Sequence, residues 1–422
     1  MVGCIISEPS RQNNDEGRRS PLKILILESG FGAGGSSKSL LYFLRYIDRD
    51  KIEPAVAFYY CNLGIDYQEI SETGVYTTTI GMVRPEQEIP DNRRRNFQHY
   101  IKIIVRSIRV NYEVFKIALK IYELIKTKQY RMLLFNNDLD YHVSAMIAGI
   151  IAGVPCVLRK AGIGVETWKG RCLSPFLDGV MTISEAAGQD YLKHNKMPPE
   201  MIIAYPGIEI ESLDNNDVSS SIRKQYEISE NIILIGMISR LGEGKGHEEV
   251  LRAIAQIIPK YEGLVLLIVG DDVDFGGEML NRLKLIAKEL SIDEHVIFAG
   301  WRNDVQSILS ELDVFIHCPT TWKEGLGIAT IEAMAAGVPT IVSNNYGLAE
   351  TTVDGKTGYV VERGDVDAIA EKILLLLTND SLRKEMGEAA RHRACECFDA
   401  RKNSRLIGNF LEHVYQITIN KT

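Results

Sequence analysis

Two glutamates, Glu324 and Glu332, stand eight residues apart in the stretch Trp322 to Pro339, which reads WKEGLGIATIEAMAAGVP. The apolar run before it, Leu312 to His317 (LDVFIH), predicts a buried parallel strand. A short loop with Gly325 and Gly327 comes next. From Gly327 on, Ile328, Ile331, Ala335 and Ala336 recur at helical spacing until Gly337-Val338-Pro339 ends the helix. On that helix Glu332 falls on the inward face with Ile328 and Ala336. A buried carboxylate costs several kcal/mol unless it is paired or hydrogen-bonded. Ribose or hexose hydroxyls would satisfy it, because a carboxylate accepts from two of them at once. The helix start also offers the N–H groups of Leu326 to Ala329 and the positive end of the helix dipole, a seat for a diphosphate. A glycine turn with one capping glutamate and one solvated glutamate would account for the same residues.

Two cations belong to the same chemistry. Arg240 and Lys245 lie in the glycine-rich loop SRLGEGKGH, Ser239 to His247, which follows the apolar run Ile232 to Ile238. Beside the Glu324 loop they would neutralise a departing diphosphate. Taken alone they would serve equally as helix caps or as partners of surface acids.

The elements that position these residues follow from an alternation of apolar runs and helical spacing. In the second half they are the strand Ile232 to Ile238, the helix His247 to Ile258, the strand Leu264 to Val269 and the short strand Val296 to Gly300. After these come the strands Leu312 to His317, Ile341 to Ser343 and Gly358 to Val361. The first half offers strands at Leu22 to Glu28, Ala55 to Tyr60, Arg131 to Phe135 and Pro155 to Leu158, with a helix over Tyr141 to Ile151. Such alternation implies an α/β fold with doubly wound parallel sheets.

Leu22 to Glu28 runs into Ser29-Gly30-Phe31-Gly32-Ala33-Gly34-Gly35-Ser36, and a helix follows through Leu40, Leu41, Leu44 and Ile47. Gly30, Gly32 and Gly35 satisfy the dinucleotide fingerprint G-x-G-x-x-G. The acidic ribose ligand that should end the next strand, near Tyr60 and Cys61, is missing. Lys38 follows the glycines as in an ATP-binding P-loop, yet that motif needs Gly directly before the Lys and here Ser36-Ser37 intervene. What remains is a flexible loop at the carboxyl edge of a first strand, where open α/β sheets bind ligands.

Length and composition bound the rest. A chain of 422 residues predicts two domains. Its 45% hydrophobic and 25% charged residues are those of a globular protein, and a net charge of −8 argues against a nucleic-acid partner. No apolar stretch approaches a membrane span. Residues 1–20 lack a signal-peptide core and read as a polar, loosely ordered extension. The seven cysteines are scattered, and Cys395 and Cys397 have the wrong spacing for zinc; reduced thiols in a cytoplasm and no metal site are expected. Between Arg93 and Arg131 a long helical segment is dense in base, with Arg93, Arg94, Arg95, Lys102, Arg106, Arg109, Lys116 and Lys120 among its cations. Its apolar residues, including Ile101, Ile104, Val105, Ile108, Val114, Phe115, Ala118 and Leu119, keep helical spacing. Such a helix either packs on a core with a solvated basic face or lies on an anionic membrane as a peripheral contact.

Arg240-Leu241 with Lys245-Gly246, then Glu324-Gly325-Leu326-Gly327 with Glu332 to Pro339, then Glu350 and Asp354-Gly355 with Thr357-Gly358, resemble the donor domain of the retaining GT-B glycosyltransferases of family 4. The resemblance runs from about Ile203 to Asp380 and is thinner in the first half, where it rests on the glycine loop and Val180 to Glu185. It implies two facing Rossmann-like domains with a cleft between them. They would be an acceptor-side domain over 21–205 and a nucleotide-sugar domain over 206–398, with a helix over 399–422 crossing back to the first domain. It further implies that Glu332 holds the ribose and Glu324 the sugar hydroxyls. Gly325, Leu326, Gly327 and Ile328, with Arg240 and Lys245, would hold the diphosphate, and Arg302 is counted with these donor contacts. Gly34, Gly35, Ser36, Arg159, Lys160 and Gly162 fall on the acceptor side.

Hexosyl transfer from a UDP- or GDP-sugar to a glycan or lipid-linked acceptor is the activity implied, with retention and with neither metal nor cofactor. The site of action would be the cytoplasm or the inner face of its membrane. One departure stands out: many family members carry His-Gly after the strand matching Pro155 to Leu158, and Ala161-Gly162 stands here. A nucleotide-sugar epimerase of the same fold and a non-catalytic nucleotide-sugar-binding subunit are the competing readings.

Overall fold

The computed structural model describes residues 20–29, 35–60, 65–81, 97–164, 166–210, 221–272 and 276–421, without the side chains of 65, 66 and 97–110. Gly30, Gly32 and Gly34 of the first loop, and Arg93 to Arg95, lie outside the described residues.

Among the described residues thirteen strands form two all-parallel sheets. The first sheet contains β1 (Leu22–Glu28), β2 (Ile52–Phe58), β3 (Tyr76–Thr79), β4 (Met132–Asn136), β5 (Cys156–Lys160), β6 (Gly179–Thr182) and β7 (Glu200–Ile203), in the order β3-β2-β1-β4-β5-β6-β7. The second contains β8 (Ile233–Ile238), β9 (Leu264–Val269), β10 (Val296–Gly300), β11 (Val314–His317), β12 (Thr340–Ser343) and β13 (Gly358–Val361), in the order β10-β9-β8-β11-β12-β13. Both are covered by helices on their two faces, which is why the central strands read as unbroken apolar runs. Strand order reverses beside β1 in one sheet and beside β8 in the other. In such sheets the crevice at the carboxyl ends of the strands flanking the reversal is where ligands bind.

Of the elements the sequence reading placed, three differ from it in extent or in packing. β2 begins at Ile52 and includes Pro54, because its pairing with β3 starts only at Ala55 and asks no N–H of the proline on that side. β5 continues through Arg159 and Lys160, so these two charges belong to a buried strand rather than to the loop after it. The long basic segment is one helix, Phe97–Lys128. It packs through Ile117, Ala118, Ile121 and Ile125, whereas Phe115 and Leu119, expected on the apolar packing face, are exposed together with Tyr112.

Several contacts join the halves. Ile208 and the segment 398–400 exchange backbone hydrogen bonds, Ile208 N to Phe398 O at 2.8 Å and Ala400 N to Ile208 O at 3.0 Å. From there the helix Ala400–Lys421 returns to the first sheet, where Ile407, Phe410, Leu411 and Val414 join the cluster built on Leu22, Ile24, Ile26 and Val56. Glu350, from the second half, accepts from Glu185 N (2.9 Å) and Ala186 N (2.7 Å) and so caps the helix Glu185–His194 of the first.

Candidate functional site

At the carboxyl end of β11 the chain passes through Cys318 to Gly327 before entering the helix Ile328–Ala335. Fully buried Asn345 fixes this loop: its side-chain oxygen accepts from Glu324 N (3.0 Å), and its amide donates to Pro319 O (3.1 Å) and Trp322 O (2.8 Å). The loop bearing Lys245 packs against the same turn. Gly246 has φ 87°, and a Cβ there would sit 1.9 Å from the Cys318 carbonyl oxygen, so the close approach of the two loops requires glycine.

That approach brings the expected cation and carboxylate together. Lys245 Nζ donates to Glu324 Oε2 at 3.0 Å and lies 4.4 Å from the centre of the Trp322 ring. The Arg240 guanidinium is 5.9 Å from the same ring. Behind them His317 Nδ1 meets Thr330 Oγ1 at 2.9 Å, and its Nε2 is 3.7 Å from Glu324 Oε2. Burial pushes the His317 imidazole down to about 4, against the pull of Glu324, so the ring is neutral near pH 7. Glu324 therefore has one charged partner there, Lys245.

Glu332 is buried, as its helical position predicts, and it is the first domain that supplies its partner. Lys38, on the helix Gly35–Tyr46, makes an ion pair with Glu332 Oε1 across the cleft. The hydroxyl of Tyr42, one turn further along that helix, is raised well above its ordinary value by burial first and by the Glu332 charge second. Lys38 had no functional place in the sequence reading beyond the rejected P-loop, and only the fold brings it to Glu332.

The first-domain wall is built from the ends of β1, β4 and β5. Arg159 Nη1 donates to Asn136 Oδ1 (2.8 Å) and its Nη2 contacts Ser39 Oγ. Asn136 also donates to Glu28, which accepts from Asn137 Nδ2 (3.2 Å) and Ser29 Oγ (3.0 Å) as well. Burial lowers the Arg159 guanidinium to about 10, with Glu28 opposing, and the group stays charged at neutral pH. Lys160 is turned elsewhere: it is bonded to Asp138 and lies 3.9 Å from Glu166 Oε1. Gly162 faces Asp138.

A cavity of about 150 Å³ lies between the walls. Gly35, Ser36, Ser39, Arg159, Ala161 and Ile183 line it from the first domain, and Glu324, Gly325, Leu326, Gly327 and Ile328 from the second, with Pro206 between. Gly325 is required at the seam, since a Cβ on it would lie 2.7 Å from the Ala161 carbonyl oxygen. Lys160, Gly162, Arg240, Lys245, Arg302 and Glu332 are absent from the lining. Arg302 is held in a fork by Asp304 (2.8 and 2.6 Å) and donates to Gln225 (2.9 Å). Asn345 and Trp322 are the positioning groups the sequence reading passed over. Trp322 stood in the quoted motif without a role, whereas nothing local marks Asn345.

The family model for glycosyl transferases group 1 matches residues 218–393. The chain is 34% identical over 183 residues to N-acetyl-alpha-D-glucosaminyl L-malate synthase of Bacillus anthracis, covering 43% of this chain and 46% of that protein. It is 30% identical over 242 residues to the capsular polysaccharide biosynthesis glycosyltransferase CapM of Staphylococcus aureus, covering 54% and 58%. The chain thus spans about half the length of the curated relatives it matches. Anabaena Alr3699/HepE, solved in complex with UDP and glucose, superposes with a TM-score of 0.75 at 20% identity over 93% of this chain and 99% of that one. Residues 218–393 thus match the glycosyl transferases group 1 model, and the chain with its two parallel sheets has the GT-B fold.

Proposed function

We propose that this protein transfers a hexosyl group from a UDP- or GDP-sugar to a glycan or lipid-linked acceptor, with retention at the anomeric carbon. The observation that carries the reading is the convergence of Lys245, Glu324, Glu332 and the start of the Ile328 helix on one cleft that faces a second domain. In this reading the diphosphate lies on the N–H groups that open that helix, with Lys245 and Arg240 beside it. Glu332 exchanges Lys38 for the ribose hydroxyls, and Glu324 orients the sugar. The acceptor hydroxyl enters from the first-domain wall and attacks the face the diphosphate leaves, its proton passing to a departing phosphate oxygen. Charge neutralisation and positioning supply the rate, and no protein nucleophile or metal takes part. HepE binding UDP and glucose supports a nucleotide sugar as donor, and the CapM likeness supports a polysaccharide or glycoconjugate product.

Thermal unfolding against UDP-, GDP-, ADP- and TDP-sugars tests this. One nucleotide family is expected to raise the melting temperature without added metal, a ligand at 100 times its Kd contributing about 2.7 kcal/mol. No shift with any of the four, on folded protein, would overturn the donor site.

Attachment to the inner face of a membrane belongs to the same proposal. No helix among the described residues is long and apolar enough to cross a bilayer. Exposed Tyr112, Phe115 and Leu119 beside Lys116 and Lys120 instead give the Phe97–Lys128 helix an apolar edge flanked by cations, suited to anionic lipid. Sedimentation with phosphatidylglycerol vesicles is expected for the wild type and should be lost in Phe115→Glu/Leu119→Glu. Equal sedimentation of both proteins would rule this helix out as the contact.

A further inference from the structure

Glu332 is sealed in this structure. It is 4% exposed and does not line the cavity, although Leu326, Gly327 and Ile328 at the start of its own helix do. The first-domain helix Gly35–Tyr46 lies over it. Lys38 of that helix holds Glu332 Oε1 in an ion pair. Tyr42, one turn further on and 3% exposed, shares an apolar cluster with Leu326, Ile331 and Met334 of the second domain. A Cβ on Gly35 would lie 3.1 Å from the Ile328 side chain, so the helix start touches the residue that opens the Glu332 helix.

The other end of the same helix is tied elsewhere. Arg45 Nη1 and Tyr46 OH both donate to Glu209 Oε1, at 3.0 and 3.1 Å. Glu209 follows Ile208, whose backbone bonds to Phe398 and Ala400 join the two halves. Lys38 and Arg45 are seven residues apart on the helix, a rise of about 10 Å between a pair at the cleft and an anchor at the crossover. A rotation of the domains about that crossover leaves Arg45 nearly in place and draws Lys38 away from Glu332. Breaking the pair strands a buried carboxylate, which then needs water or another partner. Ribose hydroxyls are such a partner. Lys38 and a ribose therefore compete for one carboxylate.

We propose that the Gly35–Tyr46 helix is an autoinhibitory latch: while Lys38 holds Glu332 the cleft excludes the ribose of a nucleotide, and the helix withdraws before the donor seats. The exclusion of a nucleotide rests on the donor reading above, which makes Glu332 the ribose carboxylate; the latch itself rests on the contacts of the helix. Measured nucleotide affinity is then weaker than the seat allows, by the fraction of molecules in which the latch is open. Removing the Lys38 charge therefore tightens nucleotide binding, whereas loss of a residue that holds the nucleotide would weaken it.

Calorimetric titration with UDP and with GDP, and small-angle scattering without nucleotide, test the latch on the full-length wild type, Lys38→Met and Glu332→Gln. Methionine keeps the helix and most of the stem while it removes the charge. Lys38→Met is expected to bind the nucleotide at least about fivefold more tightly than the wild type, and to have a larger radius of gyration. Glu332→Gln loosens the same pair from the other side, so its radius of gyration rises too, yet it gives up the ribose contact and binds nucleotide more weakly. Three results would overturn the latch. Unchanged affinity in Lys38→Met makes the pair a structural contact only, weaker affinity makes Lys38 a nucleotide ligand, and an unchanged radius of gyration leaves the domains shut without it. Should Lys38→Met fail to fold, Lys38→Ala takes its place. If neither nucleotide binds any of the proteins, the donor reading fails separately, and scattering alone decides whether Lys38 holds the domains together.

Discussion

Glu324→Gln is expected to lower turnover by about two to three orders of magnitude at saturating donor, the cost of removing one preorganised electrostatic contact. The amide keeps the shape of the side chain and loses the charge. In the wild type that charge sets Lys245, bonded at 3.0 Å and packed over Trp322, at the height where the diphosphate would lie. The loop itself does not depend on the carboxylate, because Asn345 holds it through the Glu324 backbone N–H and the Pro319 and Trp322 carbonyls. Stability should therefore fall by only about 1.5–3 kcal/mol, that of a single charge-assisted hydrogen bond. Measuring kcat and the melting temperature on one preparation separates the two effects. Turnover near the wild-type value would remove Glu324 from the reacting edge of the site.

Acidification from pH 7 to pH 4.5 should destabilise the fold by several kcal/mol. His142, His247 and His317 are buried, and burial pushes them down from 6.5 to about 4, 3 and 4. In the unfolded chain each takes a proton near pH 6.5, whereas the folded protein refuses it until two or more units lower. Between those limits the unfolded state binds more protons, so stability falls as pH falls, at up to about 1.4 kcal/mol per unit for each group. Glu166 and Glu350 work the other way. Burial raises both, so their contribution is present at low pH and is lost as pH rises through their folded values. Three histidines against two partly compensated carboxylates leave the acid side weaker. Urea midpoints across this range provide the measurement, and a flat profile from pH 7 to 5 would contradict the burial of the three rings.

How far the sequence anticipates this molecule depends on where the physics is local. The central strands are legible because both faces of each sheet are covered, which forces apolar runs such as LKILILE and LVLLIV. The helix start at Gly327 and its stop at Gly337 are written in backbone chemistry, with φ 89° and 80°. Three strands were passed over, β3, β6 and β7, with sequences YTTT, GVMT and EMII. Each is only four residues long, and β3 and β7 are half exposed at the sheet edges. Arg159 and Lys160 look like loop residues because two adjacent charges rarely extend a buried strand. They are tolerated because Asn136, Ser39 and Asp138 wait on either side of it. The pairing of Lys38 with Glu332 spans most of the chain, and no spacing rule reaches that far.

The return of the last helix to the first sheet bears on how the chain is made. Ile407, Phe410, Leu411 and Val414 pack on Leu22, Ile24, Ile26 and Val56, and a Cβ on Gly179 would lie 3.0 Å from the Val414 side chain. A ribosome works from the other end at roughly 5–20 residues per second. The first sheet therefore waits through the synthesis of the whole second domain with one apolar face covered only in part, by Leu40, Phe43 and Leu44 of the Gly35–Tyr46 helix, whereas residues 233–386 supply the central cluster of the second sheet among themselves. The domain that begins first in the chain is the one that finishes last.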